Sequence, residues 1–247
     1  STPSNSSAAS DVYKRQYVSK RAAVFLGRPL QTLKMVTLHI GNGASICAIS
    51  AGRSIDTSMG FTPLEGLVMG TRCGDIDPAI PLYMMSREGL SADEMATILN
   101  KKSGLLGLTE KYTDRRDIQQ RAKAGDKSCR LAIEIETYRL KKYIGAYAAA
   151  MGGLDVIVFT AGVGENDPSY REQTLSGLEF LGVKLDTARN AAALGGQKAC
   201  EISTEDSSVK VLVIPTDEEL VIVEDTLAII QGTYTDHMRF HYSFEDA

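Results

Sequence analysis

The sequence contains no tryptophan, only three histidines and only four cysteines. The cysteines (Cys47, Cys73, Cys129 and Cys200) are far apart and form no C-x-x-C pair, so we expect reduced thiols. The histidines do not combine with them into a metal-binding pattern. These absences argue against a disulfide scaffold and against a structural zinc site.

Excess positive charge and long apolar runs are also missing. The formal net charge of -4 argues against a nucleic acid partner. No apolar run approaches the roughly 18 residues that cross a bilayer, and we recognise no signal peptide. A 247-residue chain with 43% hydrophobic residues can bury a sizeable core, so the composition predicts a globular, cytoplasmic protein without a membrane partner.

The two ends of the chain differ from the middle. Residues 1–16 are rich in serine, lack an initiator methionine and offer little to bury, so we expect a disordered or foreign segment. Residues 231–247 lack clear periodicity and are interpreted as a tail. The remaining residues, 17–230, are predicted to form one domain, with a short helix from Tyr17 to about Gly27.

Three short strands are predicted near the start of this domain: Met35–Ile40, Ala44–Ile49 and Arg53–Ser58. The turns between them, Gly41-Asn42-Gly43 and Ser50-Ala51-Gly52, contain residues that take up the positive φ of tight hairpins. The pattern therefore predicts a three-stranded antiparallel meander.

The middle of the domain is predicted to be helical. Ser91 and Glu94 have the spacing of a capping box, Gly104 follows that helix, and Asp114 is a second candidate N-cap. A long helix carries an apolar stripe at spacings of three and four, which predicts core packing. The stripe consists of Ile133, Thr137, Leu140, Ile144, Tyr147 and Met151.

Two continuous apolar runs, Asp155–Thr160 and Val209–Ile214, are typical of buried parallel strands. Asp167 and Pro168 predict a helix start, with aspartate as N-cap and proline at the first helical position. The element order is that of an α/β domain, in which a meander is combined with parallel strands and packed helices.

Two glycine-rich segments are candidate phosphate or nucleotide contacts. A lone Gly41-Asn42-Gly43 is more often a plain hairpin turn, but glycines also let backbone N–H groups face an anion. The "FTAGVGEN" segment reads as a glycine-rich loop between a strand and a helix start, which suits a nucleotide. It is neither a Walker P-loop nor G-x-G-x-x-G, and a structural turn is an equal alternative.

Two charged candidates remain. Arg72 lies between glycines in "GTRCGDIDP" and is suited to a carboxylate or phosphate, although a surface ion pair with Asp75 or Asp77 is the commoner fate of an arginine. In "PTDEEL", Thr216 and Glu219 have capping-box spacing, which leaves Glu218 for a magnesium ion or for the helix dipole. No activated serine or cysteine accompanies them, so the set favours phosphoryl transfer.

Several segments resemble the C-terminal half of the acetate kinase family, between about Tyr17 and Ile230. They are "HIGNGASICAI", "SIDTSMGFTPLEGLVMGTRCGDIDPAI", "NKKSGLLGLT", "VFTAGVGEN" and "VLVIPTDEEL". The resemblance implies the ribonuclease-H-like domain of the actin-like ATPase superfamily, with the order β-β-β-α-β-α-β-α. It also implies transfer of the γ-phosphoryl of ATP to acetate, giving acetyl phosphate and ADP.

The resemblance carries residue roles with it. It implies that Arg72 is catalytic and holds the substrate carboxylate, that Pro63 lines the acetate pocket, and that Glu218 binds Mg²⁺. It implies nucleotide binding by His39, Ile40, Gly41, Asn42, Gly43, Asp114, Arg115, Arg116, Gly162, Val163, Gly164, Glu165, Asn166 and Arg171. It also implies a homodimer for the full-length enzyme.

The sequence departs from the family before Tyr17. "DVYKRQ" stands in place of the family's H-G-T-S-H segment, with Asp11 at the position of the catalytic histidine. The family's first half is absent, so we interpret the sequence as truncated or chimeric. Two alternatives stay open: a catalytically inactive ATP-binding fragment, and a kinase for propionate or butyrate, since one methylene changes binding by only about 1–3 kcal/mol.

Overall fold

The computed structural model describes the backbone of residues 6–196 and 198–246, with their side chains except those of residues 6–14 and 218. The helices are α1 (Ser6–Leu26), α2 (Ala79–Glu88), α3 (Ala92–Lys101), α4 (Gly104–Thr109), α5 (Arg115–Lys123), α6 (Lys127–Met151), α7 (Ala161–Asn166), α8 (Pro168–Leu175), α9 (Thr187–Ala192) and α10 (Glu218–Gln231). The strands are β1 (Lys34–Ile40), β2 (Ala44–Ser50), β3 (Arg53–Thr57), β4 (Val156–Thr160), β5 (Cys200–Glu201) and β6 (Lys210–Val213).

The strands form one sheet in the order β3-β2-β1-β4-β6-β5. β1 pairs with β4 and β4 with β6, both in parallel, whereas β5 runs antiparallel to β6. The turns that join β1, β2 and β3 are only two or three residues long, which requires antiparallel neighbours. The predicted α/β fold, with a meander beside parallel strands, is confirmed. The short edge strand β5 was not predicted.

The chain divides into two compact units. The first compact unit contains residues up to His39, Cys47–Asp56, and residues from Gly145 onwards. Its core packs α1 on the sheet, with Val18, Ala22, Leu33, Met35, Cys47, Ile49, Val156, Val158, Leu212 and Ile214 buried. The second compact unit contains Ile40–Ile46 and Thr57–Ile144. Its core includes Val68, Leu105, Ile118, Cys129, Ala132 and Ile133.

Helix caps follow the sequence closely. Ser91 and Glu94 form the predicted capping box of α3, and Asp114 caps α5. Asp167 caps α8, and Pro168 is its first residue. The predicted cap of α10 is wrong by one position, because the Asp217 carboxylate accepts from the Leu220 N–H and so takes the place expected for Thr216.

The stripe predicted on α6 is buried along its whole length, from Ile133 to Met151, and is confirmed as core. α1 and α6 are the longest helices described. Neither of them, nor any other helix in the described ranges, combines the length and the apolar character needed to cross a bilayer.

The helix α1 starts earlier than predicted. It begins at Ser6 instead of Tyr17, so it enters the segment expected to be disordered or foreign. The sequence before Tyr17 contains alanine, lysine, arginine and glutamine, which are good helix formers, and a helix is easily extended once its first turn exists. The interpretation of residues 1–16 as foreign sequence stays a prediction, and residues 1–5 lie outside the described ones.

The C-terminal segment is packed, although it was predicted to be a tail. Tyr242 is fully buried, and Phe244 is stacked on it and meets Tyr17 of α1 edge to face. Lys20 of α1 donates to the Phe240 carbonyl at 2.7 Å. The signal that sequence analysis missed is the group of closely spaced aromatic residues at 240, 242 and 244, whose rings contact one another although Phe244 lies in a short 3-10 helix (Ser243–Asp246).

Candidate functional site

The Gly-Asn-Gly turn is the exposed tip of the β1–β2 hairpin. The Gly41 N–H donates to the Gly43 carbonyl at 3.0 Å, and Asn42 and Gly43 are exposed. The expectation of positive φ is corrected here: none of the three residues has it, whereas Ala51 (51°) and Gly52 (78°) in the next turn do. Conformation therefore does not require these glycines, and their lack of a side chain leaves backbone open to a ligand.

Arg72 lies beside this turn in the second compact unit. A Cβ built on Gly43 would be 3.7 Å from Arg72 Nη1, and Nη1 donates to the Met69 sulfur at 3.6 Å. Asp75, one of the two expected surface partners, forms its ion pair with Arg139 at 3.0 Å. No carboxylate among the described side chains forms an ion pair with Arg72. A partly buried guanidinium in this position can bind an oxyanion through two N–H groups.

Asp114 and Arg116 form an exposed bidentate pair at the start of α5. Arg116 Nε donates to Asp114 Oδ1 at 3.1 Å and Nη2 donates to Oδ2 at 2.6 Å. The hydrogen bonds from Arg116 lower the pKa of Asp114 to about 2, so the carboxylate stays ionised at neutral pH. Because 90% of the Arg116 side chain is exposed, its planar guanidinium is available for stacking on a base.

Arg115 has a different place from the one expected. Its side chain is buried and forms an ion pair with the buried Glu136 of α6. A guanidinium that points into the protein does not face a nucleotide, so the expected ligand contact of Arg115 is corrected to an internal one. The alternation of an inward Arg115 with an outward Asp114 and Arg116 follows from the start of a helix at this point.

The segment predicted as a glycine-rich loop after β4 is a short helix, α7. Ala161, with φ of 65°, turns the chain out of β4 directly into this helix. Gly162 and Asn166 lie exposed, Val163 is partly exposed, and Gly164 and Glu165 are buried. The part of this segment that can meet a ligand is therefore smaller than predicted.

Arg171 also differs from its expected contact with the adenine. It is fully buried, and its five N–H groups all donate to protein oxygens at 2.7–2.9 Å. The acceptors are the carbonyls of Gly164, Glu165, Asn190 and Ala193 and the side-chain oxygen of Asn190. Arg171 thus fixes the end of α7 against α9, and its donors are occupied.

Carboxylates gather where β4 and β6 end. Glu165 is buried, and its Oε1 accepts from the Thr216 N–H at 3.3 Å. Asp217 is exposed and caps α10. Glu218 is the first residue of α10, but its side chain lies outside the described ones, so its role as a magnesium ligand stays a prediction.

The donor set at this edge fits magnesium better than a fully protein-ligated metal. The structure contains no group of three or more metal-ligating side chains among its described residues. Mg²⁺ needs only one or two carboxylates, because water and phosphate oxygens complete its shell. Burial raises the pKa of the neighbouring Tyr17, and the Asp217 and Glu165 carboxylates add to this rise against the opposing charge of Arg21.

The remaining candidates are placed as follows. His39 is the second-last residue of β1 and the last one that belongs to the first compact unit, and it pairs with Thr160 of β4. Ile40 is fully buried at the base of the hairpin. Pro63 is partly exposed in the irregular segment between β3 and α2, two residues after the fully exposed Phe61.

Sequence reasoning missed the contacts that hold the segment around Arg72. These contacts are made by Asp75, Arg139 and Tyr143, and they join residues about 70 positions apart.

Most of this chain is similar in sequence to known proteins. The model of the acetokinase family matches residues 13–224. Acetate kinase of Trichlorobacter lovleyi is 61% identical over 228 residues, which are 92% of this chain and 54% of that protein. Acetate kinase of Thermotoga maritima is 60% identical over 217 residues, which are 87% of this chain and 54% of that protein.

Solved structures agree with the sequence relatives. Porphyromonas gingivalis acetate kinase superposes with a TM-score of 0.85 at 47% identity, covering 88% of this chain and 54% of that one. A propionate kinase from Francisella tularensis superposes with a TM-score of 0.78 at 42% identity, covering 85% of this chain and 52% of that one. The chain spans about half the length of the curated relatives it matches. The family model, the sequence relatives and the solved structures together establish that the chain belongs to the acetokinase family.

Proposed function

We propose that this chain supplies the nucleotide- and phosphoryl-binding half of an acetate kinase, which transfers a phosphoryl group between ATP and acetate. The observation that carries the proposal is Arg72, a partly buried guanidinium beside the open Gly41–Gly43 turn without a carboxylate partner among the described side chains. Phosphoryl transfer depends mainly on positioning and charge neutralisation, which such an arrangement provides.

In this proposal the residues of the chain bind and orient. The open turn donates backbone N–H groups to phosphate oxygens, and Arg72 holds the acetate carboxylate and the transferring phosphoryl group. Asp114 and Arg116 contact the adenosine, and the exposed Gly162 allows the nucleotide to approach α7. Pro63 contributes an apolar surface for the acetate methyl group. Arg115 and Arg171 act inside the protein by fixing α5 and α7.

Magnesium neutralises phosphate charge when it is bound. The residues that would hold it are Glu218 and the carboxylates beside it, Glu165 and Asp217, at the carboxyl ends of β4 and β6. The proposal includes the further partners expected from the sequence: ADP, acetyl phosphate and a second copy of the chain in a cytoplasmic enzyme. Family membership is what supports these partners.

The first test is binding of Mg·ATP to this chain by calorimetry. Gly162→Val is expected to abolish binding, because an ordinary Cβ at Gly162 meets no protein atom within 4 Å and would project into the ligand's path. Gly145→Val in α6 is the matched control, since it is also a helical glycine with open space around its Cβ. Equal affinity of the two variants would contradict the proposed nucleotide contact.

The second test supplies the part of the relatives' length that this chain does not span. The chain is mixed with the part of Trichlorobacter lovleyi acetate kinase to which it does not align, and acetyl phosphate is measured with Mg·ATP and acetate. Formation of acetyl phosphate that is lost in Arg72→Ala supports the proposal. Binding of ATP without any turnover in a stable complex would instead identify an inactive nucleotide-binding fragment. Parallel reactions with propionate and butyrate determine the preferred acid.

A further inference from the structure

The segment that carries Arg72, here called the Arg72 loop (Gly66–Asp75), is closed at its two ends. The Asp75 N–H donates to the Gly66 carbonyl at 3.0 Å, and the Gly66 N–H donates to Asp75 Oδ1 at 2.8 Å. Asp75 therefore bonds to both backbone groups of Gly66, through its own backbone and its side chain. A compact loop with joined ends presents its middle residue in a fixed position.

Two side chains of α6 complete this closure. Arg139 donates to the Gly66 carbonyl and to the Asp75 carbonyl, each at 3.1 Å, and pairs with the Asp75 carboxylate at 3.0 Å. The Tyr143 hydroxyl donates to Asp75 Oδ2 at 2.8 Å. One turn of a long helix thus contacts both ends of the loop, and we call Asp75, Arg139 and Tyr143 the closing triad.

The far side of the Arg72 loop is fixed mainly by backbone hydrogen bonds to α3 and α4, together with one hydrogen bond from a side chain. The Cys73 N–H donates to the Leu99 carbonyl at 3.0 Å, and the Leu105 N–H donates to the Met69 carbonyl at 2.9 Å. The Thr71 hydroxyl donates to the Asn100 carbonyl at 2.9 Å. The ends of the loop depend more on side chains, since three side chains close them and one holds the far side.

We propose that Asp75, Arg139 and Tyr143 are positioning residues that fix the Arg72 loop and so set the position of the Arg72 guanidinium. The inference rests on the proposed function of Arg72 and concerns residues that do not touch the ligand. A displacement of about 1 Å in a positioned group is enough to reduce catalysis about 100-fold, so closure of the loop has a functional value beyond stability.

The chemistry of the triad keeps its hydrogen bonds in place over the physiological pH range. Burial, reinforced by the hydrogen bond to Asp75, raises the pKa of Tyr143, so its hydroxyl remains a donor at every physiological pH. The Asp75 carboxylate is about 40% exposed, so its charge pairing with Arg139 is partly screened by water. The hydrogen-bond geometry, and not the strength of the ion pair, is therefore what closes the loop.

The test compares Asp75→Ala, Tyr143→Phe and Arg72→Ala in this chain. Amide hydrogen exchange is measured by mass spectrometry over the Arg72 loop and over the rest of the chain. Asp75→Ala is expected to accelerate exchange in the loop about tenfold while other peptides keep their rates, and Tyr143→Phe to give a smaller increase. Asp75→Asn, which keeps the oxygen that accepts from Gly66, is expected to restore part of the protection. Tyr83→Phe on α2 is the matched control.

Binding of acetyl phosphate, followed by calorimetry, supplies the functional readout. Asp75→Ala should weaken binding by about the same factor as Arg72→Ala, and the double variant should bind no more weakly than either single one. Additive losses, or exchange that rises equally throughout the chain, would overturn the inference. If Arg72→Ala leaves the affinity unchanged, the proposed role of Arg72 fails, and the exchange data alone still decide whether the triad fixes the loop.

Discussion

Two segments of this chain are each held by one arginine, and the two arginines are bound in different ways. Arg139 donates to carbonyls at both ends of the Arg72 loop, pairs with the Asp75 carboxylate and keeps 21% of its side chain exposed. Arg171 holds the end of α7, is fully buried, and donates to neutral oxygens only. Arg139 is partly exposed to solvent while it holds the loop, and Arg171 is part of the core.

The difference shows how a charge can be kept in the interior. Burial lowers the pKa of Arg171, which means that the protein interior disfavours its charge. The cost is offset by hydrogen bonds from all five N–H groups, because a buried donor without an acceptor loses its water without replacement. Arg139 has no such requirement, since water reaches part of its guanidinium. Removal of the two side chains should therefore have unequal consequences.

The largest effect is expected for Arg171→Met. Methionine fills much of the space, but it leaves the buried carbonyls of Gly164 and Ala193 without the donor that Arg171 supplies, so we expect a loss of about 3–5 kcal/mol in the free energy of unfolding. Arg139→Met should cost about 1–2 kcal/mol, because water can replace part of its bonding. Urea denaturation of both variants measures this, and equal losses would break the comparison.

A third arginine sharpens the comparison, because Arg115 is buried with a carboxylate partner. Glu136→Leu alone should destabilise the chain by about 3 kcal/mol, since it leaves the guanidinium buried without its counter-charge. Arg115→Met combined with Glu136→Leu should be close to neutral, because an apolar pair can replace a buried ion pair. A double-mutant cycle in urea measures the coupling, and additive losses would show that the pair is not a unit.

Backbone geometry separates the two segments further. Gly66 has φ of 99°, and a Cβ there would lie 2.1 Å from the Ser58 carbonyl oxygen, so Gly66→Ala should cost about 2–3 kcal/mol. Gly162→Ala should leave stability unchanged within about 1 kcal/mol, because its φ is ordinary and its surroundings are open. Thermal unfolding of both variants is the measurement. A similar loss in both would mean that α7 is as constrained as the Arg72 loop.

The smallest effect is expected in the C-terminal segment, which Lys20 of α1 holds through hydrogen bonds to the Phe240 carbonyl and the Glu245 carboxylate. Burial lowers the pKa of His237, with opposing and reinforcing charges from Asp236 and Lys20. Because the pKa of His237 is lower in the folded chain than in the unfolded chain, the unfolded chain takes up a proton more readily. The contribution of the neutral ring to the stability of the fold is therefore complete above about pH 6.5, the usual pKa of histidine, and is lost as the pH falls below it. His237→Gln should reduce this loss, by less than about 1 kcal/mol because part of the ring meets solvent.

The control for this prediction is His241→Gln, since His241 lies four residues away and is 62% exposed. Melting temperatures are recorded between pH 7.5 and pH 5.5 for both variants. A slope that changes equally in the two variants would locate the titration elsewhere.

Local signals in the sequence were sufficient for most of the fold. The apolar runs and turn residues placed five of the six described strands, and three N-caps, Ser91, Asp114 and Asp167, were identified because a cap bonds only to residues two or three positions away. The strand β5 was missed because two residues carry no periodicity. The cap of α10 was placed one residue early because Thr216 and Asp217 are both good cap residues.

The candidate site was predicted less completely. Residue types and spacing singled out Arg72 and the Gly41–Gly43 turn as candidates, and the family resemblance added Asp114 and Arg116; their roles at a ligand stay predictions. The resemblance does not show which arginine side chains face outward and which face inward, so Arg115 and Arg171 were both expected at the nucleotide. Their direction depends on Glu136, Gly164 and Asn190, which no local pattern connects to them.

The sequence by itself determined five of the described strands, three helix caps, the parallel part of the sheet and membership of the acetokinase family, because these depend on short-range patterns and on long matched segments. The tertiary structure alone decided which polar groups are satisfied inside the protein. It fastened the C-terminal aromatic residues to α1, directed Arg115 and Arg171 into the core, and closed the Arg72 loop with Asp75, Arg139 and Tyr143. Those contacts join residues 6 to 220 positions apart, and a buried donor selects its acceptor by proximity in space.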